Sequence, residues 1–340
     1  MRLLITVPWG ERLGGAEATL QMILDGAQAA GHDVHLVFLA GGPWPQELSA
    51  AGFTVTVLDA GRLRQVQRFA RTVARLVKLL RAEEPDLVIN WSAKTQLYGG
   101  LAGMIARRSD RNLWWQQGVP EHHPLDIAAT LLPARAVCCY SNAAARAQRR
   151  LLPRRRTLVM GSGSPPPASR RSAGLELPPG IPVVGLVGRL QPWKGQDRLL
   201  QAHAILRERG AHLHTLLVGG DSYGLSPAYA ASLPEVVRRL HLEGEVTLTG
   251  EVPDAGPYIE QMDVLVNASD PEPFGIVLLE GMARGVPVVA VNSGGPGEFV
   301  EHGESGLLAS SGEPQALADA LQPLLRSPET RKRIGEAGSP

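Results

Sequence analysis

Cysteine is nearly absent from this chain: two stand among 340 residues, Cys138 and Cys139. They adjoin each other in a strand-like run, so their side chains point to opposite faces and do not bridge one another. No disulfide framework is available, and a reducing cytoplasm is the expected home. No apolar run approaches the length of a membrane span. The opening run from Met1 to Pro8 is too short for a signal peptide and reads as a first strand. No G-x-G-x-x-G follows that strand; Arg12-Leu13-Gly14-Gly15-Ala16-Glu17 stands there instead, which disfavours a nicotinamide-dependent enzyme. His122 and His123 lack a third ligand at a recognisable spacing, so neither a metal site nor any other cofactor is expected. The net charge of +1 is too small to suggest a nucleic-acid partner.

What is present is a long, evenly built chain. Apolar residues at 44% and charged residues at 20% fit a globular protein, and 340 residues exceed one ordinary core. Charge is split along the length. Residues 1–165 carry 20 Lys and Arg against 12 Asp and Glu, while the remainder carries 14 against 21. The basic half therefore suits an anionic surface or substrate. Strand-like segments at 3–9, 33–40, 54–60, 86–92, 112–118, 136–141 and 157–160 alternate with helix-like ones. A second series follows at 182–187, 214–218, 246–249, 264–268, 287–291 and 306–309. Such alternation predicts two doubly wound domains with mostly parallel sheets. Gly161-Ser162-Gly163-Ser164-Pro165-Pro166-Pro167 punctuates them. We place a first domain at 1–165, a linker at 166–178 and a second domain at 179–340.

Between positions 62 and 81 the chain carries Arg62, Arg64, Arg68, Arg71, Arg75, Lys78 and Arg81 without one acid. Arg68, Arg71, Arg75 and Lys78 share a helical face, and Val66, Phe69, Val73, Leu76, Val77 and Leu80 supply the opposite face, expected to be buried. Two readings stand: a solvated helix face, or peripheral contact with the inner face of an anionic membrane. The loop after the fifth strand holds Gln116, Gln117, His122 and His123, which are surface residues or contacts to a reacting sugar.

Three turns in the second half point to one chemistry. Gly188-Arg189 and Trp193-Lys194-Gly195 put two cations at a strand-to-helix turn, a fork and a point charge suited to a diphosphate. Gly219-Gly220-Asp221 offers a small-residue turn where a flat base rests. Ser293-Gly294-Gly295 allows another close backbone approach. Sheets of this class bind ligands at these carboxyl ends. Beside them, Glu272-Pro273-Phe274-Gly275-Ile276-Val277 leads into a helix that is apolar on every side and is expected to be buried. Glu280 sits inside that helix, where a carboxylate is costly unless paired.

Together, Gly188-Arg189-Leu190, Trp193-Lys194-Gly195, Glu272-Pro-Phe-Gly with Glu280, Gly285-Val-Pro-Val-Val and Gly294-Gly295-x2-Glu298 resemble the retaining glycosyltransferases of family 4 (glycosyltransferase group 1). Gly14-Gly15-x-Glu17 extends the resemblance thinly into the first half. The resemblance implies the GT-B fold, two Rossmann-like doubly wound parallel-sheet domains facing a central cleft, the first binding acceptor and the second donor. It implies transfer of a hexose from a nucleotide-diphosphate sugar to a glycan or lipid-linked acceptor, with retention and without a metal. Cell-envelope glycan synthesis is the expected setting. Arg189 and Lys194 would bind the diphosphate and steady its charge as the sugar leaves. Glu280 would hold the ribose, and Glu272 would act on the transferred sugar. Gly188, Gly219, Asp221 and Phe274 would line the donor, and Gly275, Ile276 and Val277 would meet it through backbone N–H groups. Gly15 would approach the diphosphate from the first domain.

Three departures from the family pattern stand out. Where many relatives carry a histidine near the sugar, Gln116 and Gln117 stand here; Gln117, His122 or His123 would have to fill that place. The usual Asn-Gly-Val-Asp ending of the first domain appears only as Gly161-Ser162-Gly163-Ser164. The long helix expected to cross back to the first domain is short or missing before Pro340, which suggests a truncated product. Alternative readings are an epimerase or hydrolase in the same cleft and a non-catalytic nucleotide-sugar binder.

Overall fold

The computed structural model describes residues 1–12, 14–121, 123–152, 154–164 and 173–339. Leu13, His122, Pro153 and most of the expected linker, through residue 172, lie outside the described residues. The chain forms two compact units, Met1–Gly161 and Ser162–Pro340. Leu175 and Leu177, inside the expected linker, pack against the core of the second unit.

The first unit runs β1 (Arg2–Val7), α1 (Gly15–Ala29), β2 (Asp33–Phe38), α2 (Pro43–Ala50), β3 (Thr54–Val57), α3 (Val66–Glu83), β4 (Leu87–Asn90), α4 (Ala93–Ala106), β5 (Asn112–Gln116), α5 (Pro124–Leu131), β6 (Ala136–Cys139), α6 (Asn142–Leu151) and β7 (Thr157–Val159). Among the described residues its sheet has seven strands in the order β3-β2-β1-β4-β5-β6-β7, every recorded pairing parallel. Parallel strands are covered on both faces, which is why β1 reads as an unbroken apolar run with all but its first residue buried. α3 turns Thr72, Val73, Leu76, Val77 and Leu80 inward at helical spacing, against α4; Phe69 is half-buried, and Val66, expected on the buried face, stands at the first residue of the helix and is 75% exposed. Ser92 starts α4 in a capping box with Thr95, and Ser141 caps α6 by accepting from Ala144 N. α2 is a helix that the sequence reading passed over. Pro43 occupies its first turn, where a missing N–H costs nothing, and Trp44 and Leu48 bury one turn apart.

The second unit runs β8 (Val183–Val187), α7 (Gln196–Glu208), β9 (His214–Val218), α8 (Pro227–Arg239), β10 (Val246–Leu248), α9 (Gly256–Ile259), β11 (Val264–Asn267), α10 (Ile276–Met282), β12 (Val288–Val291), β13 (Leu307–Ala309), α11 (Pro314–Arg326) and α12 (Pro328–Gly338). Among the described residues its sheet has six strands in the order β10-β9-β8-β11-β12-β13, again parallel. One core cluster packs α7, α8 and α11 on one side of the sheet, around Leu199, Leu200, Leu233, Leu317 and Leu321. Each such buried leucine contributes roughly 1.5–3 kcal/mol over an exposed one. A second cluster lies under α9 and α10, around Ile259, Met262, Leu265 and Leu278. Among the described residues no helix is long and apolar enough to cross a membrane.

The α10 segment differs from expectation. It spans seven residues, and only Leu278, Gly281 and Met282 are buried, while Ile276, Val277 and Leu279 are half-buried. Two turns of helix lying on a sheet can press only one side against it, so an all-apolar sequence here does not mean an all-buried helix.

Candidate functional site

In the second sheet the strand order reverses between β8 and β11. Such a reversal leaves a crevice at the carboxyl ends of the two strands, where open α/β sheets take their ligands. The loops after β8 and β11 rise there, and the loop after β12 stands beside them. Backbone bonds stitch the three together: Asp270 N donates to Trp193 O at 3.1 Å, Glu272 N to Ser293 O at 3.0 Å and Gly295 N to Glu272 O at 2.8 Å. From α7, the Arg198 guanidinium donates to Trp193 O at 3.1 Å and to Ala268 O at 2.6 Å, clasping the first loop to the second. Gly294 has φ +97°, and a Cβ there would fall 2.0 Å from Glu272 O, so only glycine lets the third loop pass.

This frame buries Glu272 to 6% exposure. Its Oε2 accepts from Lys194 Nζ at 2.9 Å and from Asn267 Nδ2 at 3.1 Å. Burial pushes the carboxyl upward, but the Lys194 ammonium and hydrogen bonds from Lys194, Ser269 and Asn267 outweigh it and hold the group below the usual glutamate range. Glu272 is therefore an anion at neutral pH. Lys194 also lies 4.1 Å from the centroid of the Trp193 indole, which is steadied by its own Nε1 donating to Gln191 Oε1 at 2.9 Å.

Arg189 is half-buried in the same loop. Its carbonyl accepts from Gln196 Nε2 at 2.9 Å, yet among the described residues its guanidinium has no hydrogen bond or ion pair. The loop after β8 thus carries two cations, and among the described residues only Lys194 has a recorded acid partner.

Glu280, half-buried on α10, is driven above the usual range by burial; Arg284 opposes the shift and Asp254 adds to it. Arg284 Nη1 donates to Glu280 O at 2.9 Å. Phe274 stacks near Phe299 with centroids 5.1 Å apart, ahead of Gly275 at the helix start and Ile276 and Val277 in its first turn. Gly188 N donates to Val218 O at 2.9 Å. A Cβ on Gly219 would lie 2.1 Å from Gly188 O, so the turns after β8 and β9 run backbone on backbone. Asp221 is committed to local structure, its Oδ1 accepting from Ser226 N at 2.8 Å ahead of α8.

The first-unit candidates lie on their own sheet edge. Gly15 opens α1, its carbonyl accepting from Thr19 Oγ1 at 3.0 Å. Both ends of the Gln117 amide are engaged: Nε2 donates to Trp91 O at 2.8 Å, and Oε1 accepts from Tyr140 OH at 3.0 Å. Gln116 is buried and donates to Asp126 Oδ1 at 3.1 Å. His123 caps α5, its Nδ1 accepting from Leu125 N at 3.2 Å. His122 lies outside the described residues.

Five residues that shape the sites were given no role of their own in the sequence reading. Trp193 braces Lys194, Asn267 braces Glu272 and Arg198 joins their loops. In the first unit, Trp9 and Lys94 form a cation–π pair. Only Asn267 carried a local signal, a polar residue closing the apolar run of β11.

Comparison with known proteins agrees with this architecture. The family model for glycosyl transferases group 1 matches residues 170–339, and that for the glycosyl transferase 4-like domain matches residues 14–164. D-inositol 3-phosphate glycosyltransferase of Corynebacterium efficiens is 38% identical over 176 residues, covering 49% of this chain and 40% of that protein. The lipopolysaccharide core biosynthesis glycosyltransferase LpsE of Rhizobium meliloti is 32% identical over 166 residues, covering 49% and 46%. The chain thus spans less than half the length of these curated relatives in its matches. Among solved structures, Anabaena HepE in complex with UDP-glucose superposes with a TM-score of 0.83 at 28% identity, covering 99% of this chain and 93% of that one. Two parallel sheets of this order, the Arg189–Lys194–Glu272 crevice and a match over half the chain lead to one assignment: the chain belongs to the group 1 glycosyltransferases, family 4, on the GT-B fold.

Proposed function

We propose that this protein transfers a sugar from a nucleotide-diphosphate sugar to a glycan or lipid-linked acceptor, with retention and without a metal. The observation that carries the reading is the half-buried Arg189, with no anion partner among the described residues, in the same loop as Lys194 of the Lys194–Glu272 pair at the strand-order reversal. HepE, similar over nearly the whole chain, is a protein solved with UDP-glucose, and UDP-glucose is the first donor to try. The Arg189 fork grips the diphosphate, and Lys194 adds positive charge as the bond from the anomeric carbon to the phosphate oxygen breaks. Glu272, held as an anion, reads sugar hydroxyls. Glu280 takes the ribose hydroxyls. The acceptor hydroxyl attacks from the face the diphosphate leaves, and its proton passes to the departing phosphate oxygen.

The test is a thermal-shift panel of nucleotides and nucleotide sugars, followed by product analysis with and without acceptor. One nucleotide-diphosphate sugar should stabilise the folded chain, and turnover should require an acceptor. A donor converted equally well alone would mark an epimerase or hydrolase, and binding without turnover over a broad acceptor panel would mark a binding protein.

A second part of the proposal concerns place. Arg64, Arg68, Arg71, Arg75 and Lys78 are exposed along α3 and its approach, with Leu63 and Val66 exposed at its start. That face suits peripheral contact with anionic lipid at the cytoplasmic side of a membrane. Co-sedimentation with vesicles rich in anionic lipid should be salt-sensitive; no binding at low salt would end this part.

A further inference from the structure

In the first sheet the strand order reverses between β1 and β4, so the crevice of that sheet opens at the carboxyl ends of those strands. Two side chains meet there from opposite sides of the reversal. Trp9 follows β1 and is 40% exposed. Lys94 follows β4, in the first turn of α4, with Nζ 4.8 Å from the centroid of the Trp9 indole. The lysine is half-buried. Among the described residues no acid pairs with it, and the first turn of α4 holds no acid. Burial holds its ammonium below the ordinary lysine range, with no carboxylate drawing it back.

A cation taken out of water without a partner is costly, and the positive end of a helix adds to the cost. The indole face offsets part of it. The second unit shows the complete version of the same arrangement: Lys194 lies over Trp193 and is paired with Glu272. In the first unit the acid is what is missing.

We propose that Trp9 and Lys94 form an acceptor subsite, in which the indole carries the flat face of a sugar ring and the ammonium grips a phosphate or carboxylate on the acceptor. The proposal rests on the glycosyl-transfer reading and deepens it: this enzyme selects acceptors that bear an anionic group. Trp supplies a broad apolar platform with a specific geometry. Lys supplies a point charge that accepts either oxyanion without demanding a fixed fork.

The full chain tests this with four probes in a thermal-shift titration: glucose 6-phosphate, glucuronate, neutral methyl glucoside and UDP-glucose. At least one anionic sugar should stabilise the protein more than the neutral one. Lys94→Gln should weaken that anionic probe about tenfold or more, the scale of one charge-assisted hydrogen bond, while Lys94→Arg retains most of it. The UDP-glucose shift should be the same in all three proteins. Lys94 acylation in the wild-type chain, read by peptide mass spectrometry, should be slowed by the anionic sugar and not by UDP-glucose; it needs no variant to fold. Equal binding of the neutral probe, undiminished anion binding in Lys94→Gln, or no anionic probe binding at all overturns the proposal. Protection by UDP-glucose alone also overturns it, because the anion would then be the donor's diphosphate. Absence of any UDP-glucose shift beside a retained anionic-sugar shift would strike the transfer reading and leave the subsite standing.

Discussion

Two lysines, each over a tryptophan, each at the strand-order reversal of its own sheet, occupy different electrostatic worlds. Lys194 has Glu272 at 2.9 Å, and that acid is fixed by Asn267 and by two backbone bonds to the loop after β12. Lys94 has the indole of Trp9 and, among the described residues, no acid. The first arrangement is internally balanced, so the cation left without an acid among the described residues is the neighbouring Arg189. The second is unbalanced at the lysine itself. The difference teaches that one motif of two side chains serves opposite ends, according to whether the chain supplies the counter-charge or leaves it to a ligand.

The largest expected contrast comes from cutting each lysine. Lys194→Met strands Glu272 as a buried anion, and a broken buried pair costs about 3 kcal/mol or more. Its loss of charge at the leaving group should also lower kcat about hundred- to thousandfold. Chemical denaturation and steady-state kinetics read both. Lys94→Met strands nothing, so its stability should hold or rise in the same denaturation experiment. A comparable loss from both variants would break the comparison.

Next in size is Arg189→Ala. With no partner to orphan, it should leave the denaturation midpoint within about 0.5 kcal/mol of the parent. Donor affinity should still fall by about tenfold or more, the scale of a lost charge-assisted contact, as read by isothermal titration with UDP-glucose. A stability loss as large as that of Lys194→Met would show that Arg189 has a structural partner after all.

The smallest effect concerns a group away from both crevices. His203 on α7 is fully buried, its Nδ1 2.8 Å from Thr215 Oγ1 and its Nε2 3.0 Å from Glu245 Oε2. Burial, opposed in part by Glu245, lowers its pKa to about 4. In the unfolded chain the imidazole titrates near ~6.5. Between those values the unfolded state binds the extra proton, so stability is full above about pH 6.5 and falls as the pH drops toward 4. His203→Gln should flatten that slope in pH-dependent thermal unfolding. An unchanged slope would assign the acid sensitivity to other groups.

Much of the fold was legible from alternation alone. Every strand of both sheets overlaps a segment read as strand-like; buried strands such as β8 and β12 leave an unbroken apolar trace, while the edge strands β3 and β7 do not. α2 was given no assignment; Pro43 and Pro45 open it, and proline is well tolerated in a first helical turn. The donor-side loops were legible through glycines and cations at strand ends. Their mutual contacts were not: the bond between Glu272 and the Gly294 region is made by main chain, which leaves little mark on side-chain identity. The Gln117 amide and the His123 ring were expected near a sugar; their hydrogen bonds to Trp91, Tyr140 and Leu125 are partners the sequence could not supply. Trp9 and Lys94 are far apart in the chain, and only the order β1-β4 in the sheet brings them together.

The seat of Glu272 is made of peptide groups: Ser293 O, Gly295 N and a passage past Gly294 too narrow for any side chain. A carboxylate mounted on main chain is indifferent to the identity of most residues around it. Neighbouring side chains are thus free to drift, altering which hydroxyls are recognised, while the acid keeps its station. A descendant lineage could change its sugar by ordinary substitutions at the rim, while Gly294, where any Cβ would meet Glu272 O, stays a glycine.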